Sequence, residues 1–341
     1  MTRVAAIDCG TNTIRLLIAE ADRDQMGRPR LEVLRRRNEI VRLGQGVDRT
    51  GVLDPEALER TLTVVAAYAA DCAELDVAPG EAARRFVATS ATRDARNREE
   101  FVAGVRRVLG IAPEVVSGQE EARLSFSGSL LGAREGTGGG AQGERAQAPR
   151  LIVDLGGGST ELVLGVDAPS AAISLDTGSV RITERFLTGG VTAEAEAAAR
   201  AEVRGLLDGA ERVVDLSAPG QLVGLAGTIT TVTAHALGLQ AFDPQALGGA
   251  ELSPQAVLAS CEAIVHSTAE QRASWGYLAP GRRDVIAAGA LVWSEVVSRV
   301  VERTTAAGRP LERVITSLYD ILDGIALSLV PAQRPAEGAG A

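Results

Sequence analysis

The sequence predicts an α/β protein of two domains that face each other across a cleft, and three observations support this prediction. The chain has 341 residues, which exceeds the size at which one hydrophobic core keeps growing. Strand-like and helix-like apolar patterns alternate along both halves. A strand–turn–strand pattern with an aspartate at the same offset occurs at residues 4–18 and again at 151–166. This self-similarity favours two related halves over the alternative of two unrelated glycine-rich hairpins.

The more informative hairpin spans residues 151–166. Its first apolar run reaches Asp154, and Glu161 begins the second run. Glycines between them allow a tight turn that brings backbone N–H groups close to an anion, and hydroxyl side chains add donors. Two carboxylates beside such a phosphate cradle predict a bound Mg²⁺ ion, because this cation is held by one or two carboxylates and by substrate oxygens. The turn residues are Gly156, Gly157, Gly158, Ser159 and Thr160.

A weaker copy of this pattern opens the chain. An apolar run reaches Asp8, and the following turn contains Gly10, Thr11 and Asn12 before a second apolar run. Taken alone, this segment is equally well explained by an ordinary hairpin turn. Taken with the second copy, it predicts that two turns border one cleft.

The remaining elements of the first half follow from apolar spacing and capping residues. Asp54 as a cap and Pro55 at the first helical position predict a helix. Its expected apolar stripe consists of Leu58, Leu62, Val65 and Ala69. The pattern also predicts strands at 31–37, 85–89 and 114–116, a loop at 90–94, and a helix capped near Asn97.

Two charged residues of the first half are candidates for a function. Arg93 lies in the loop after the strand at 85–89, where a cation suits an anionic ligand, although a salt bridge within the loop is the alternative. Ser117 and Glu120 have the spacing of a capping box. Glu121 is rotated from Glu120 by about 100° around the helix, so it points elsewhere. The local sequence favours a solvent-exposed Glu121 that the helix dipole stabilises.

The second half repeats the alternation of strands and helices after a low-complexity stretch at 132–149, which predicts a flexible insertion. We therefore expect domains at 1–131 and 150–330 and a disordered tail at 331–341. Gly227 and Thr228 open a helix whose amino end suits phosphate or nucleotide, although a plain threonine cap explains them equally well. The predicted strands lie at 151–155, 160–166, 172–175, 222–225 and 313–315, and the predicted helices begin at Ser179, Thr192 (to about Val214), Ser253, Asp284 and Ile321.

Composition excludes several classes of protein. All 35 basic residues are arginines, so enzymes that need a lysine are excluded: P-loop enzymes, protein kinases and Schiff-base enzymes. Cys9, Cys72 and Cys261 are too scattered, and the two histidines too few, for a disulfide framework, a zinc site or a histidine-based triad. A formal net charge of −9 and only ten aromatic residues argue against a nucleic-acid partner. We find no signal peptide and no apolar run of ~18 residues, so we expect a cytoplasmic protein without a membrane partner.

These motifs, in this order and spacing, resemble the exopolyphosphatase and guanosine pentaphosphate phosphatase family from residue 4 to about residue 330. The resemblance implies the fold of the actin, sugar-kinase and Hsp70 ATPase superfamily, in which two α/β domains enclose an interdomain cleft. The most specific motifs are Ser117-Gly118-x-Glu120-Glu121-Ala122 and Asp154-x-Gly156-Gly157-Gly158-Ser159-Thr160-Glu161. The others are Asp8-x-Gly10-x-Asn12, Thr92-Arg93, Gly227-Thr228 and Arg282-x-Asp284-Val285.

The resemblance also implies a reaction and a role for each motif. The reaction is hydrolysis of the terminal phosphate of inorganic polyphosphate, with Glu121 as the base that activates water, which reverses the local interpretation of this residue. Asp154 and Glu161 are implied to hold Mg²⁺, with Asp8 acting through water. The implied phosphate-binding residues are Gly10, Thr11, Asn12, Arg93, Gly156, Gly157, Gly158, Ser159 and Arg282. Gly227 and Thr228 are implied to bind a nucleotide, and the family suggests a homodimer.

The chain departs from many members of this family in two places. It lacks a long C-terminal extension that helps to grip long polymers, so we expect a preference for shorter chains. It reads Asp320-Ile321-Leu322-Asp323-Gly324 where many relatives have Gly-Leu-Arg-Glu-Gly, which removes an arginine from a candidate phosphate contact.

Other functions remain open. Guanosine pentaphosphate (pppGpp) is the alternative substrate, because the same phosphate site would serve it. A nucleotide-gated scaffold is less favoured because it needs a peptide-binding or filament-forming module. A small-molecule kinase is less favoured because its base is expected from the second half of the chain.

Overall fold

The computed structural model describes residues 2–135 and 148–331, and its first sheet belongs to the N-terminal half. The five strands lie in the order β3-β2-β1-β4-β5. β1, β2 and β3 form an antiparallel meander, and β4 and β5 continue the sheet in parallel with β1. The strands are β1 (Thr2–Cys9), β2 (Thr13–Arg23), β3 (Pro29–Ile40), β4 (Arg84–Ala88) and β5 (Glu114–Val115).

The second sheet repeats this arrangement with one added edge strand. Its six strands lie in the order β10-β11-β9-β6-β7-β8. β6, β7 and β8 form an antiparallel meander, and β9 and β11 continue the sheet in parallel with β6. The strands are β6 (Arg150–Leu155), β7 (Thr160–Gly165), β8 (Pro169–Leu175), β9 (Gln221–Leu225), β10 (Glu251–Leu252) and β11 (Val314–Thr316). The two equivalent sheets confirm the predicted α/β class.

Helices cover both sheets. They are α1 (Val47–Thr50), α2 (Pro55–Glu74), α3 (Ser90–Asp94), α4 (Arg98–Leu109), α5 (Gly118–Glu135), α6 (Ser179–Ile182), α7 (Ala193–Ala210), α8 (Ala226–Ala236), α9 (Pro244–Leu247), α10 (Pro254–Val265), α11 (Ala269–Ser274), α12 (Ile286–Ala306) and α13 (Ile321–Ser328). A π-helical turn at Thr183–Leu187 continues α6, and a 3₁₀ turn at Pro280–Arg282 precedes α12. Among the described residues, no helix combines the length and the apolar character that crossing a bilayer requires.

Each sheet has its own hydrophobic core. Apolar side chains of the first sheet pack against α2 and α4, and those of the second sheet pack against α7, α8, α10 and α12. We call the first sheet with α1–α4 and α13 the first lobe, and the second sheet with α5–α12 the second lobe. The lobes meet along α5 and α13.

The two helices between the sheets cross closely. α13 covers the first sheet through residues such as Leu322 and Ile325, whereas Ala122 and Phe126 of α5 pack on the second sheet. A Cβ atom on Gly324 would lie only 1.9 Å from the carbonyl oxygen of Leu124, so the crossing requires glycine. The last helix therefore belongs to the first lobe, although it falls within the segment 150–330 that we expected to form the second domain.

Several local predictions differ from the structure. The segment 90–94 is helical rather than a loop. The side chain of Asn97 hydrogen-bonds the backbone of Leu53 instead of capping α4. α5 continues to Glu135, into the predicted insertion, and α7 ends at Ala210 instead of near Val214. The rest of the insertion and the tail, at 136–147 and 332–341, lie outside the described residues.

Helix α2 shows why an apolar stripe alone misplaces the buried face. Asp54 caps the helix through the N–H groups of Glu56 and Ala57, as predicted. The buried face, however, consists of Ala57, Thr61, Val65, Tyr68 and Cys72. Of the predicted stripe, only Val65 is fully buried, because the other members pack at the edge of the core.

Candidate functional site

The turns of the two hairpins meet at the interface between the lobes. A Cβ atom on Gly158 would lie 2.5 Å from Oγ1 of Thr11 and 2.7 Å from Oγ of Ser90, so this close approach requires glycine. The two hydroxyls of the first lobe lie 3.0 Å apart. A cavity of about 90 Å³ lies beside this contact and is lined by both lobes.

Most of the predicted site residues line this cavity. They are Asp8, Gly10, Thr11, Asn12, Glu121, Asp154, Gly156, Gly157, Ser159, Glu161, Gly227, Thr228 and Arg282. Arg93 and Gly158 contact lining residues without lining the cavity themselves. The structure adds Arg15, Ser90 and Ser179 to the lining. Hairpin register could have identified Arg15, because it pairs with Asp8 across the strands.

Glu121 lies at the centre of this site. It follows Ser117, which accepts the N–H of Glu120 at 3.2 Å as the capping spacing predicted, while the Glu120 side chain pairs with Arg123. Glu121 is only 7% exposed, so the local prediction of a solvent-exposed residue is wrong. Burial raises the pKa of Glu121 to about 8, with Asp154 adding repulsion and Arg93 opposing the shift.

Arg93 supports Glu121 rather than lining the cavity. One terminal nitrogen, Nη1, donates to Oε2 of Glu121 at 3.2 Å and to the carbonyl oxygen of Val116 at 2.9 Å. The contact with Val116 holds the guanidinium in place, and the contact with Oε2 restrains the Glu121 carboxylate. A direct contact between Arg93 and phosphate, which the resemblance implied, stays a prediction.

A pair of acidic residues faces Glu121 from the second hairpin. Asp154 and Glu161 are directly opposite each other on β6 and β7. Asp154 accepts a hydrogen bond from Ser125 at 2.6 Å, and Glu161 accepts one from Ser174 at 2.7 Å. Burial raises the pKa of Asp154 to about 6 and the pKa of Glu161 well above its usual value, to which repulsion from Glu121 contributes. Neither acid has an ion-pair partner within the described part of the chain.

This donor set suits a hard divalent cation. Buried carboxylates that repel one another and have only hydroxyl partners are stabilised by a positive charge, and oxygen donors are what Mg²⁺ prefers. Oxygen atoms of Asp8, Asp154 and Glu161 are not all within 4.8 Å of one another; in residues 2–135 and 148–331, only Glu196, Glu262 and His266 meet that distance for three ligands. In this geometry a single ion would not contact all three acids directly, and water would complete its coordination.

The equivalent aspartate of the first hairpin has a different environment. Arg15 donates to Oδ2 of Asp8 from Nε at 2.9 Å and from Nη2 at 2.6 Å. Its third nitrogen, Nη1, bonds Asp320, the capping residue of α13. Burial raises the pKa of Asp8, and Arg15 opposes that shift.

A further cation, Arg282, also lines the cavity. Arg282 lies so close to Gly227 that a Cβ atom there would be 1.6 Å from its Nη1 atom. Its guanidinium forms no hydrogen bond or ion pair with the residues that the structure describes. Burial, with repulsion from Arg15, lowers the pKa of Arg282 to about 10. The adjacent amino end of α8 has no side-chain cap, so cation and helix end together offer donors to an anion.

Known proteins resemble this chain over most of its length. The model of the Ppx/GppA phosphatase family matches residues 17–306. Exopolyphosphatase 2 of Mycobacterium tuberculosis is 44% identical over 335 residues, which are 96% of this chain and 99% of that protein.

Solved structures share the fold. The crystal structure of an exopolyphosphatase-like protein is 41% identical, with a TM-score of 0.85 over 96% of this chain and 97% of that chain. A Ppx/GppA family member from Aquifex aeolicus is 27% identical, with a TM-score of 0.72 over 96% and 97% of the two chains. The predicted α/β fold is thereby confirmed as one that solved Ppx/GppA proteins share.

Proposed function

Because the chain belongs to the Ppx/GppA phosphatase family, we propose that it is an exopolyphosphatase, which removes the terminal phosphate of inorganic polyphosphate by Mg²⁺-dependent hydrolysis. The observation that supports this most strongly is the position of Glu121. Its buried carboxylate lies beside a cavity that is bordered by two phosphate-type turns and by an acidic pair. Family membership makes the chain a hydrolase of phosphoanhydride bonds, and the substrate is the further step of the proposal.

We propose that residues of both lobes bind the end of the polyphosphate chain. Backbone N–H groups of Gly157 and Gly158 and the hydroxyls of Ser159 and Thr11 are the proposed donors for the terminal phosphate. Arg282, which has no ion-pair partner among the described residues, supplies a positive charge near the amino end of α8. The cavity lined by both lobes is the proposed place for the end of the phosphate chain.

Glu121 is the proposed general base. A water oxygen forms a bond to the terminal phosphorus while the bond between that phosphorus and the bridging oxygen breaks, and Glu121 accepts a proton from the water. A raised pKa makes its carboxylate a stronger base than an exposed glutamate. Arg93 keeps the carboxylate in place through the 3.2 Å hydrogen bond.

Mg²⁺ is the proposed cofactor, held by Asp154 and Glu161, with Asp8 as a more distant acid. When bound, the ion supplies positive charge that stabilises the negative charge on the phosphoryl oxygens. The acidic pair fits this role because it is buried without an ion-pair partner among the described residues.

A cytoplasmic location and a homodimer also stay predictions.

Guanosine pentaphosphate is the second candidate substrate. Gly227 and Thr228 line the cavity at the uncapped amino end of α8, which suits an additional phosphate or a nucleotide. Both substrates present the same terminal phosphate to Glu121, so only a direct comparison distinguishes them.

The test is phosphate release from polyphosphates of defined length, guanosine pentaphosphate and ATP, each with and without Mg²⁺. We expect polyphosphate to be the preferred substrate and Mg²⁺ to be required. Glu121→Gln should slow hydrolysis on the order of 10²–10⁴-fold, because the base is lost. Glu120→Gln is the matched control, because this neighbour points away from the cavity and should retain the parent rate.

The outcomes separate the parts of the proposal. A preference for guanosine pentaphosphate would change the proposed substrate and leave the proposed site residues as they are. A Glu121→Gln variant that hydrolyses every substrate at the parent rate would show that Glu121 is not the general base. Circular dichroism of both variants checks that each remains folded.

A further inference from the structure

Beside the cavity, the two lobes are joined by a group of ion pairs that we call the Asp48 cluster. It consists of Asp48 and Asp94 of the first lobe and Arg181 and Arg185 of the second lobe. Arg181 pairs with both aspartates, at 2.7 Å from Nη2 to Oδ2 of Asp94. Arg185 pairs with Asp48 at 2.6 Å.

Arg181 differs from Arg185 in one contact. Its Nε donates to the carbonyl oxygen of Gly158 at 2.8 Å. One planar guanidinium therefore binds the proposed phosphate turn of its own lobe and two carboxylates of the opposite lobe. Its side chain is only 11% exposed. Arg185 instead bonds Glu202 with its remaining nitrogen, at 2.7 Å, and no hydrogen bond joins it to the turn within the described residues.

The contact with the Gly158 carbonyl has a geometric consequence. The described residues contain no cis peptide bond, and in a trans peptide the C=O and N–H groups point in opposite directions. The N–H of Ser159 belongs to the same peptide unit as that carbonyl. Holding the carbonyl toward Arg181 therefore directs the Ser159 N–H away from Arg181, and Ser159 lines the cavity.

We infer that Arg181 is a positioning residue, which orients the peptide between Gly158 and Ser159 for phosphate binding when the lobes are closed. Asp48 and Asp94 hold the guanidinium from the opposite lobe, so the orientation of the turn depends on the contact between lobes. The inference rests on the proposed phosphate site. It adds a link between lobe closure and the geometry of that site.

The chain offers a matched control, because Arg185 pairs with the same Asp48 without touching the turn. We compare Arg181→Ala with Arg185→Ala in two measurements: amide hydrogen exchange of residues 156–160 without substrate, and kcat and KM for phosphate release from tripolyphosphate with Mg²⁺. Arg181→Ala should lower kcat on the order of 10²-fold, since a misplaced binding group costs about that much. It should also increase exchange in the turn at least tenfold, whereas Arg185→Ala should stay within threefold of the parent in both measurements.

A third variant keeps the test valid where Arg181→Ala fails to fold. Asp94→Asn weakens one ion pair of Arg181 and leaves its bond to Gly158 possible, so it should show a smaller change of the same kind. Unchanged exchange in a folded Arg181→Ala protein, or equal losses of kcat in the two arginine variants, would overturn the inference.

Exchange is measured without turnover, so it judges Arg181 separately from the proposed reaction. If the parent protein releases no phosphate from any polyphosphate, the proposed function is wrong. In that case, a turn that loses protection only in Arg181→Ala would still support the link between Arg181 and the turn.

Discussion

The two hairpins have the same strand pairing but carry different charges at equivalent positions. Each places an aspartate one residue before the end of its first strand, and each aspartate faces a residue seven positions later on the second strand. Asp8 faces Arg15, whereas Asp154 faces Glu161. A repeated fold element has thus kept its hydrogen-bonding register while its two copies carry different charges.

This difference separates a scaffold from a candidate cation site. In the first hairpin, Arg15 balances Asp8 and also reaches Asp320, so the charges are satisfied within the protein. In the second hairpin, the hydrogen-bond partners of the acids among residues 2–135 and 148–331 are serine hydroxyls. Because Glu161 is repelled by Glu121 and Asp154, whereas Asp8 is paired with Arg15, the second hairpin is the one that a cation would stabilise.

The largest expected effect is that equivalent substitutions in the two hairpins change the free energy of unfolding in opposite directions. Asp8→Asn should lower the free energy of unfolding by about 3 kcal/mol, because it leaves Arg15 buried with a weakened partner. Asp154→Asn should raise it by about 1 kcal/mol at pH 8 without Mg²⁺, because it removes repulsion among buried acids. Urea unfolding measures both values.

The exposed Asp167→Asn in the same lobe is the control for this pair and should change the free energy of unfolding by less than about 0.5 kcal/mol. Destabilisation of similar size in Asp8→Asn and Asp154→Asn would show that the two hairpins are electrostatically alike. The contrast drawn between the charges of the two hairpins would then be wrong.

A second prediction concerns the contact between the turns. Gly158→Ala places a methyl group 2.5 Å from Oγ1 of Thr11, so the turns must move apart. We expect phosphate release to fall on the order of 10²-fold, because the groups that bind phosphate and activate water no longer meet correctly. Steady-state kinetics with tripolyphosphate measure the effect.

Gly189→Ala is the matched control, because its added methyl group meets no atom within 4 Å. It should retain the parent rate. Full activity of Gly158→Ala would mean that the close contact between the turns is not needed.

Much of this arrangement follows from local sequence, and the rest does not. The glycine-rich turns and the spacing between Asp154 and Glu161 predict the second hairpin directly. Hairpin register also relates Asp8 to Arg15. In contrast, Asp320 reaches Arg15 across 305 positions of the chain, and that contact exists only because α13 returns to the first sheet. Local capping rules likewise could not show that α5 buries Glu121 between the lobes.

A further expected effect is the pH dependence of stability without Mg²⁺. Burial raises the pKa of Glu121 from 4.5 to about 8 and the pKa of Asp154 from 3.8 to about 6. The folded protein therefore keeps protons that the unfolded chain releases, so this contribution is fully present below about pH 4 and is lost as the pH rises toward 8. Urea midpoints at pH 5 and pH 8 should show lower stability at pH 8, and added Mg²⁺ should reduce the difference. A metal-free protein that gains stability between these pH values would contradict the prediction.

Calorimetric titration of Mg²⁺ into the metal-free protein at pH 8 tests the central claim most directly. The parent and Asp167→Asn should each bind one ion at the second hairpin, and Glu161→Gln should lose this binding while remaining folded. Binding of Mg²⁺ by Glu161→Gln with the affinity of the parent would contradict the account, because the ion would then lie away from the acidic pair that faces Glu121.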